Sequence, residues 1–216
     1  MISQLGQDTD VLQTYNFKKR GFFVEIGAND GVRLSNTLLL ERDYDWKGIC
    51  VEPDPVVFEN LVKNRKSICV QKAMYNVSDA TVSFSVNPNS LLSGISTHIM
   101  ERVRQNTSNV IEVSTINMND LLDKNNAPKF IEYLSLDTEG TEFEILESTD
   151  FTKYTFGVIH VEHNYQVERR QKIRSILEKN GYVFFKQVKW DDSYIHSSLQ
   201  ASKIPRFTKK LIWNRF

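Results

Sequence analysis

Phe22-Phe23-Val24-Glu25-Ile26-Gly27-Ala28-Asn29-Asp30-Gly31 decides the fold. An apolar strand opens directly into a glycine-punctuated turn, and an acid stands two residues before the first glycine. Glycine takes positive φ without a Cβ penalty, and at Gly27 bare main chain leaves room for a ligand to lie against it. A second strand, Gly48-Ile49-Cys50-Val51, ends in Glu52-Pro53-Asp54. That places a carboxylate about 20 residues after the glycines, where a nucleotide ribose diol is held. Together the two segments describe a nucleoside-binding crevice.

A dinucleotide site reads G-x-G-x-x-G and rests a pyrophosphate on a helix N-terminus. Here the spacing is Glu25-x-Gly27-x-Asn29-x-Gly31, and an acid inside the motif repels a pyrophosphate but attracts a cation. The amino group and sulfonium of S-adenosylmethionine satisfy that electrostatic demand. A nicotinamide oxidoreductase would also use a glycine turn and Glu52, and two Tyr-x-x-x-Lys pairs occur, Tyr15 with Lys19 and Tyr182 with Lys186. The first pair precedes the glycine turn and the second falls in an expected strand, so both are out of place for a dehydrogenase.

The chain has 216 residues, 40% hydrophobic and 25% charged, which suits one domain spanning 1–216. Lys plus Arg and Asp plus Glu are 27 each, so no overall field selects a polyanion and no DNA partner is expected. The one basic segment is the tail, Lys203, Arg206, Lys209, Lys210 and Arg215 interleaved with Phe207, Trp213 and Phe216, which reads as a solvated or packed terminus. No apolar run reaches 18 residues and no signal-like start is present, so the expectation is a cytoplasmic protein without a membrane span. Cys50 and Cys69 read as free thiols in neighbouring strands.

Strands at 22–26, 48–52 and 68–70 alternate with helices after Ser35-Asn36-Thr37 and after Pro53 and Pro55, the latter carrying Val56, Phe58, Leu61 and Val62. Thr81–Val86 alternates like a half-exposed strand, and the Ser/Asn-rich stretch after it, within 87–109, reads as a lid or insertion. Further strands end at Asp137 and at Glu162-His163-Asn164, and Tyr182–Phe185 begins a last strand pair. Alternating strands and helices predict an α/β fold with a parallel sheet covered on both faces. Ligands bind there at the carboxyl ends of strands, so Glu25, Glu52, Asp137 and Glu162-His163-Asn164 gather around one crevice. Asp137 also fits a helix-capping role for the turn after it, and His163 a satisfied position at the strand rim.

Several ordered motifs carry a resemblance along nearly the whole chain: Ser3-Gln4-Leu5-Gly6-Gln7-Asp8, Phe23 to Gly31, Ser35-Asn36-Thr37, Glu52-Pro53, Leu136-Asp137-Thr138-Glu139-Gly140-Thr141-Glu142 and Val161-Glu162-His163-Asn164. The sequence resembles the FkbM family of S-adenosylmethionine-dependent methyltransferases. The resemblance implies the class I methyltransferase fold, a Rossmann-like three-layer sandwich on a mostly parallel seven-stranded sheet with its last strand antiparallel. It implies a cofactor set of Gln7, Asp8, Glu25, Gly27, Ala28, Asn29, Gly31, Ser35, Asn36, Glu52, Pro53, Ala73 and Asp137. Residues 1–20 are expected to cap the cofactor site. Transfer goes in such families to a hydroxyl of a sugar or polyketide, often beside glycan-building enzymes.

A neutral sugar hydroxyl is a poor nucleophile, so a base or a metal is expected beside the methyl donor. His163 has the unperturbed pKa for a base. Alternatively Asp137, Glu162 and His163 hold Mg²⁺ or Mn²⁺, which orients the acceptor and acidifies its hydroxyl. Both readings stay open, as do RNA ribose 2'-O-methylation, a small-molecule acceptor and a binding module without catalysis. The neutral charge and acidic strand ends favour a glycan over RNA.

Overall fold

In the computed structural model, which describes residues 3–199, the chain opens with α1 (Gln7–Thr14) and then alternates β1 (Phe22–Ile26), α2 (Leu38–Tyr44), β2 (Lys47–Val51), α3 (Pro55–Asn64) and β3 (Ile68–Val70). The middle of the chain holds β4 (Ala73–Met74), β5 (Thr81–Val86), β6 (Gly94–Ile95), α4 (Glu101–Arg104), β7 (Asn109–Ile116) and α5 (Met118–Lys124). Then come β8 (Phe130–Leu136), α6 (Glu142–Glu147), β9 (Thr155–Glu162), α7 (Val167–Lys179), β10 (Tyr182–Val188) and β11 (Asp191–His196). The basic tail from Lys203 to Phe216 lies outside the described residues.

Seven strands form one sheet in the order β10, β11, β9, β8, β1, β2, β3. β1 pairs in parallel with β2 and β8, and the parallel set continues through β3 and β9. β11 runs antiparallel to both of its neighbours, β9 and β10. This order, with one reversed strand, is the class I methyltransferase topology, and the strand order turns back between β1 and β8.

Successive side chains of a strand point to opposite faces, so a sheet buried on both sides builds two apolar layers. Phe23, Cys50, Tyr133 and Val158 pack with Val11 and Leu12 of α1, Leu40 of α2 and Leu61 of α3. Val24, Ile49, Leu134 and Ile159 pack on the other face with Leu121 of α5, Ile145 of α6 and Leu177 of α7. Helices α1 to α3 therefore cover one face and α5 to α7 the other, giving three layers.

α3 differs from its apolar pattern. Asp54 caps it, accepting Val56 N–H at 2.9 Å, and Pro55 starts it, but Leu61 is its one fully buried residue while Val56 is 72% exposed. The helix lies beside the sheet edge at β3, where little core remains to receive a broad apolar face. Thr81–Val86 belongs to a second sheet, ordered β4, β7, β5, β6, around Ala73, Phe84, Ile95 and Val113. Within the described residues, no helix is long and apolar enough to cross a membrane.

Candidate active site

The ends of β1, β2 and β8 converge at Gly27. Its N–H and that of Ala28 donate to Val51 O at 3.1 and 3.0 Å, and Asp137 N–H donates to Ile26 O at 3.2 Å. Gly27 has φ 79°, and a Cβ there would lie 1.8 Å from the carbonyl oxygen of Asp137. The glycine is thus required by a neighbouring strand end as well as by the turn. At Gly31 an added Cβ would meet Leu61 and Arg65 instead.

Glu25 is not free to balance a cationic ligand, contrary to the reading of its charge in the motif. Its carboxylate accepts from Ser35 Oγ at 3.0 Å, Asn36 N at 2.7 Å, Thr37 Oγ1 at 2.6 Å and Arg65 Nη1 at 3.1 Å. Arg65 is fully buried and also reaches Glu41 at 3.2 Å. A buried charge must be paired, and the guanidinium does this from within the fold. Arg65 follows α3 among other basic residues, so nothing in the sequence singles it out.

Among the described residues no cation pairs with Glu52. Its two oxygens accept Asn29 N–H at 3.0 Å and Asp54 N–H at 2.9 Å. Burial pushes its carboxyl up to about 7, against the pull of those hydrogen bonds.

A cavity of about 340 Å³ opens along this edge of the sheet. Of the expected cofactor residues, Glu25, Gly27, Ala28, Asn29, Ser35, Asn36, Glu52, Pro53, Ala73 and Asp137 line it. Gln7, Asp8 and Gly31 do not. Gln7 Nε2 donates to Asp191 at 2.7 Å, and Asp8 accepts from Ser3 Oγ at 2.6 Å, so both residues brace the N-terminal segment. From that segment Gln4 reaches the cavity. Asn36 Nδ2 donates to Ser135 Oγ at 2.9 Å, while its buried Oδ1 has no partner among the described residues.

The far end of the cavity is acidic. Asp137, Glu139 and Glu162 bring carboxylate oxygens within 4.8 Å of one another, and Asn164 Nδ2 donates to Glu162 at 2.6 Å and Glu139 at 3.3 Å. Burial, then repulsion from Glu139, holds the Asp137 carboxyl well above the usual range. Burial and the charge of Asp137 do the same to Glu162. Behind them Asp191 is pushed up to about 6, chiefly by burial. Asp137 does not take the helix-capping role: the N-cap of α6 is Thr141, without a side-chain cap hydrogen bond, and Glu142 ties the preceding turn by accepting Thr138 N–H at 2.8 Å and Gly140 N–H at 3.2 Å.

His163 stands apart from this group. Strand alternation turns it away from Glu162, its Nδ1 accepts Tyr165 N–H at 3.0 Å and its Nε2 lies 3.6 Å from Asp192. It is 4% exposed and does not line the cavity, so it is placed neither as the base nor as a ligand beside Asp137 and Glu162. Glu139, unassigned from sequence, occupies that third position. Its signal was the acid spacing of Asp137-Thr138-Glu139. The 87–109 stretch supplies Asn89, Ser90, Leu91, Leu92, Ser93, Ile95 and Met100 to the wall, with Ser90 Oγ 3.3 Å from Asn29 Oδ1 and Arg33 Nη1 3.3 Å from Asn89 Oδ1.

A family model described as the Methyltransferase FkbM domain matches residues 25–184. No curated protein sequence matches the chain. Among solved structures, precorrin-6y C5,15-methyltransferase from Geobacter metallireducens GS-15 is similar at TM-score 0.45 and 12% identity, over 87% of this chain and 84% of that one. The METTL16 MTase domain is similar at TM-score 0.48 and 13% identity, over 89% of this chain and 66% of its own. A methyltransferase from Pyrococcus furiosus is similar at 0.42 and 13% identity, over 90% and 83%.

Proposed function

The chain belongs to the FkbM-domain methyltransferases, and from that premise we propose that it transfers a methyl group to a hydroxyl of a sugar in a glycan or glycoconjugate. The family and the fold make it an S-adenosylmethionine-dependent methyltransferase; the oxygen acceptor is our inference from the acidic end of the cavity. The residues present fit the cofactor. Glu52 would hold the ribose diol, Pro53, Ala73 and Met74 offer an apolar wall for the base, and the orphaned Asn36 Oδ1 awaits a donor. When bound, S-adenosylmethionine supplies a methyl carbon already activated by its sulfonium.

The observation that carries the reading is the buried pair Asp137 and Glu162, whose oxygens meet beside Glu139: burial raises both carboxyls, helped by the charge of Glu139 at Asp137 and by that of Asp137 at Glu162, while the hydrogen bond between the two pulls Asp137 back down. Two such groups share protons as a unit, and the ionised member is more basic than an exposed carboxylate. It accepts the proton of the acceptor hydroxyl as that oxygen attacks, and general base catalysis of this kind contributes typically about 10²- to 10⁴-fold. A second reading rests on the all-oxygen donor set of Asp137, Glu139 and Glu162, which suits Mg²⁺ or Mn²⁺. There the ion would polarise the hydroxyl.

The test supplies methyl-labelled S-adenosylmethionine with a panel of methyl pyranosides, oligosaccharides and an RNA oligonucleotide. Label on a sugar oxygen supports the proposal. Label on RNA or on a nitrogen sinks it. Loss of turnover with EDTA, restored by Mg²⁺, selects the metal reading over the carboxylate base.

A further inference from the structure

The sequence has three tryptophans, of which Trp213 lies outside the described residues. Trp46 has a structural role: it is 2% exposed, packs in the core under α1 to α3, and donates Nε1–H to Lys18 O at 2.8 Å. Trp190 has none of these attributes. It is half-buried, belongs to neither sheet's apolar core, and its indole N–H makes no hydrogen bond among the described residues. It lines the cavity. Lys189 Nζ lies over one face of the ring, 5.2 Å from its centroid. Buried indoles normally find a partner for that N–H, so a large ring outside the core, with one face against a lysine and its donor unpartnered among the described residues, leaves its other face for a ligand.

The segment that carries it is held in place. Lys189 and Trp190 form a two-residue turn between Val188 of β10 and its partner Asp191 of β11. Trp190 O accepts His163 N–H at 2.8 Å, Gln187 Nε2 donates to Lys189 O at 2.8 Å, and Asp191 is tied to Gln7. Asp191 also pairs in register with Glu162, which puts the turn beside the acidic end of the cavity. His163 therefore has a use in this site: its backbone fixes the indole-bearing turn.

On the reading that the acceptor is a sugar, we propose that Trp190 sets acceptor specificity by packing its indole against the apolar face of a pyranose ring whose hydroxyl points at Asp137, Glu139 and Glu162. The negative face of an aromatic ring favours the weakly positive C–H groups of such a face, and the contact is flat and broad. A nucleobase would also stack on indole. RNA, however, carries phosphates on both sides of its ribose, and the carboxylates here would repel them. The two cations on the cavity wall, Arg33 and Lys72, follow β1 and β3, across the strand-order switch from β9 and β11.

The experiment compares wild type, Trp190→Phe and Trp190→Leu for methyl transfer to the pyranoside that wild type labels best, with cofactor affinity from calorimetry and melting temperature alongside. Trp190→Leu is expected to raise acceptor KM at least tenfold and Trp190→Phe less, while the S-adenosylmethionine Kd stays within twofold. The proposal is overturned by an unchanged acceptor KM in Trp190→Leu, or by cofactor affinity falling by the same factor as acceptor affinity. If the acceptor KM is unmoved while wild type still labels pyranosides, the sugar reading stands without Trp190. A wild-type protein that labels RNA and no pyranoside removes both.

Discussion

Glu25 and Glu52 end neighbouring parallel strands and differ in what balances them. Glu25 faces a buried guanidinium, whereas Glu52 accepts two backbone N–H groups and sits near pKa 7 through burial. A folded-state value above the ordinary 4.5 means that Glu52 favours the folded state when protonated. That contribution is complete below about pH 4.5 and is lost as pH rises through about 7. Ribose hydroxyls donate to the ionised form, so cofactor binding runs the other way. We expect S-adenosylmethionine affinity to fall as pH is lowered through about 7, and Glu52→Ala to weaken it by roughly 10- to 150-fold, the equivalent of a charge-assisted hydrogen bond of about 1.5 to 3 kcal/mol. Calorimetry from pH 5.5 to 8.5 checks both; a flat profile would show that Glu52 does not hold the ribose. At the acidic end, Asp137→Asn and Glu162→Gln should each lower kcat by about 10²-fold or more. His163→Ala should change it by less than about threefold, because that ring lies outside the cavity. An equal loss in all three variants would return His163 to the chemistry.

Element by element, what was legible in the sequence is what repeats with a fixed period. β1, β2, β8 and β9 could be read because two-sided burial leaves continuous apolar runs, while β3 and β10 were read from short apolar stretches at the ends of the sheet; the carboxyl ends of the central strands located the crevice. β4 and β6, two residues each, are shorter than any pattern. α1 was missed because its first buried positions, Gln7 and Asp8, are polar. Trp190 was hidden because the sequence does not show which side of a two-residue turn faces a cavity. Arg65 was hidden for another reason: its importance comes from joining the end of β1, the Ser35–Thr37 turn and Glu41 of α2, three places distant in sequence. Removing one partner of a buried ion pair costs about 3 to 5 kcal/mol, a large share of the 5 to 15 kcal/mol that holds a typical domain. Arg65→Met is therefore expected to lower the urea midpoint sharply. Arg65→Met combined with Glu25→Gln should recover part of the loss, since the uncompensated charge is gone. A double variant no more stable than Arg65→Met would show that the carboxylate is balanced elsewhere.

For the molecule as a whole, the second sheet and the equal count of acids and bases bear on the same question, what the acceptor is. Ala73, Met74, Phe84 and Ile95 of the second sheet and residues of the segment from Asn89 to Met100 line the cavity, and we propose that this segment is the lid under which the acceptor is held. A cover of this kind suits a compact ring or a chain end more than the open groove a long polymer needs. The 27 basic and 27 acidic residues provide no overall field to collect a polyanion, and the end of the cavity at Asp137, Glu139 and Glu162 is carboxylate-lined. Nucleic-acid binding releases counterions, and a protein making 6 to 10 phosphate contacts loses about 10³- to 10⁵-fold in affinity between 50 and 200 mM salt. A neutral sugar releases none. We expect kcat/KM for the acceptor to change by less than about threefold over that range, with cofactor saturating throughout. A steep fall on a log–log plot of kcat/KM against salt would mean that phosphates are being bound, and would move the acceptor from neutral sugars to a nucleotide-linked or nucleic-acid substrate.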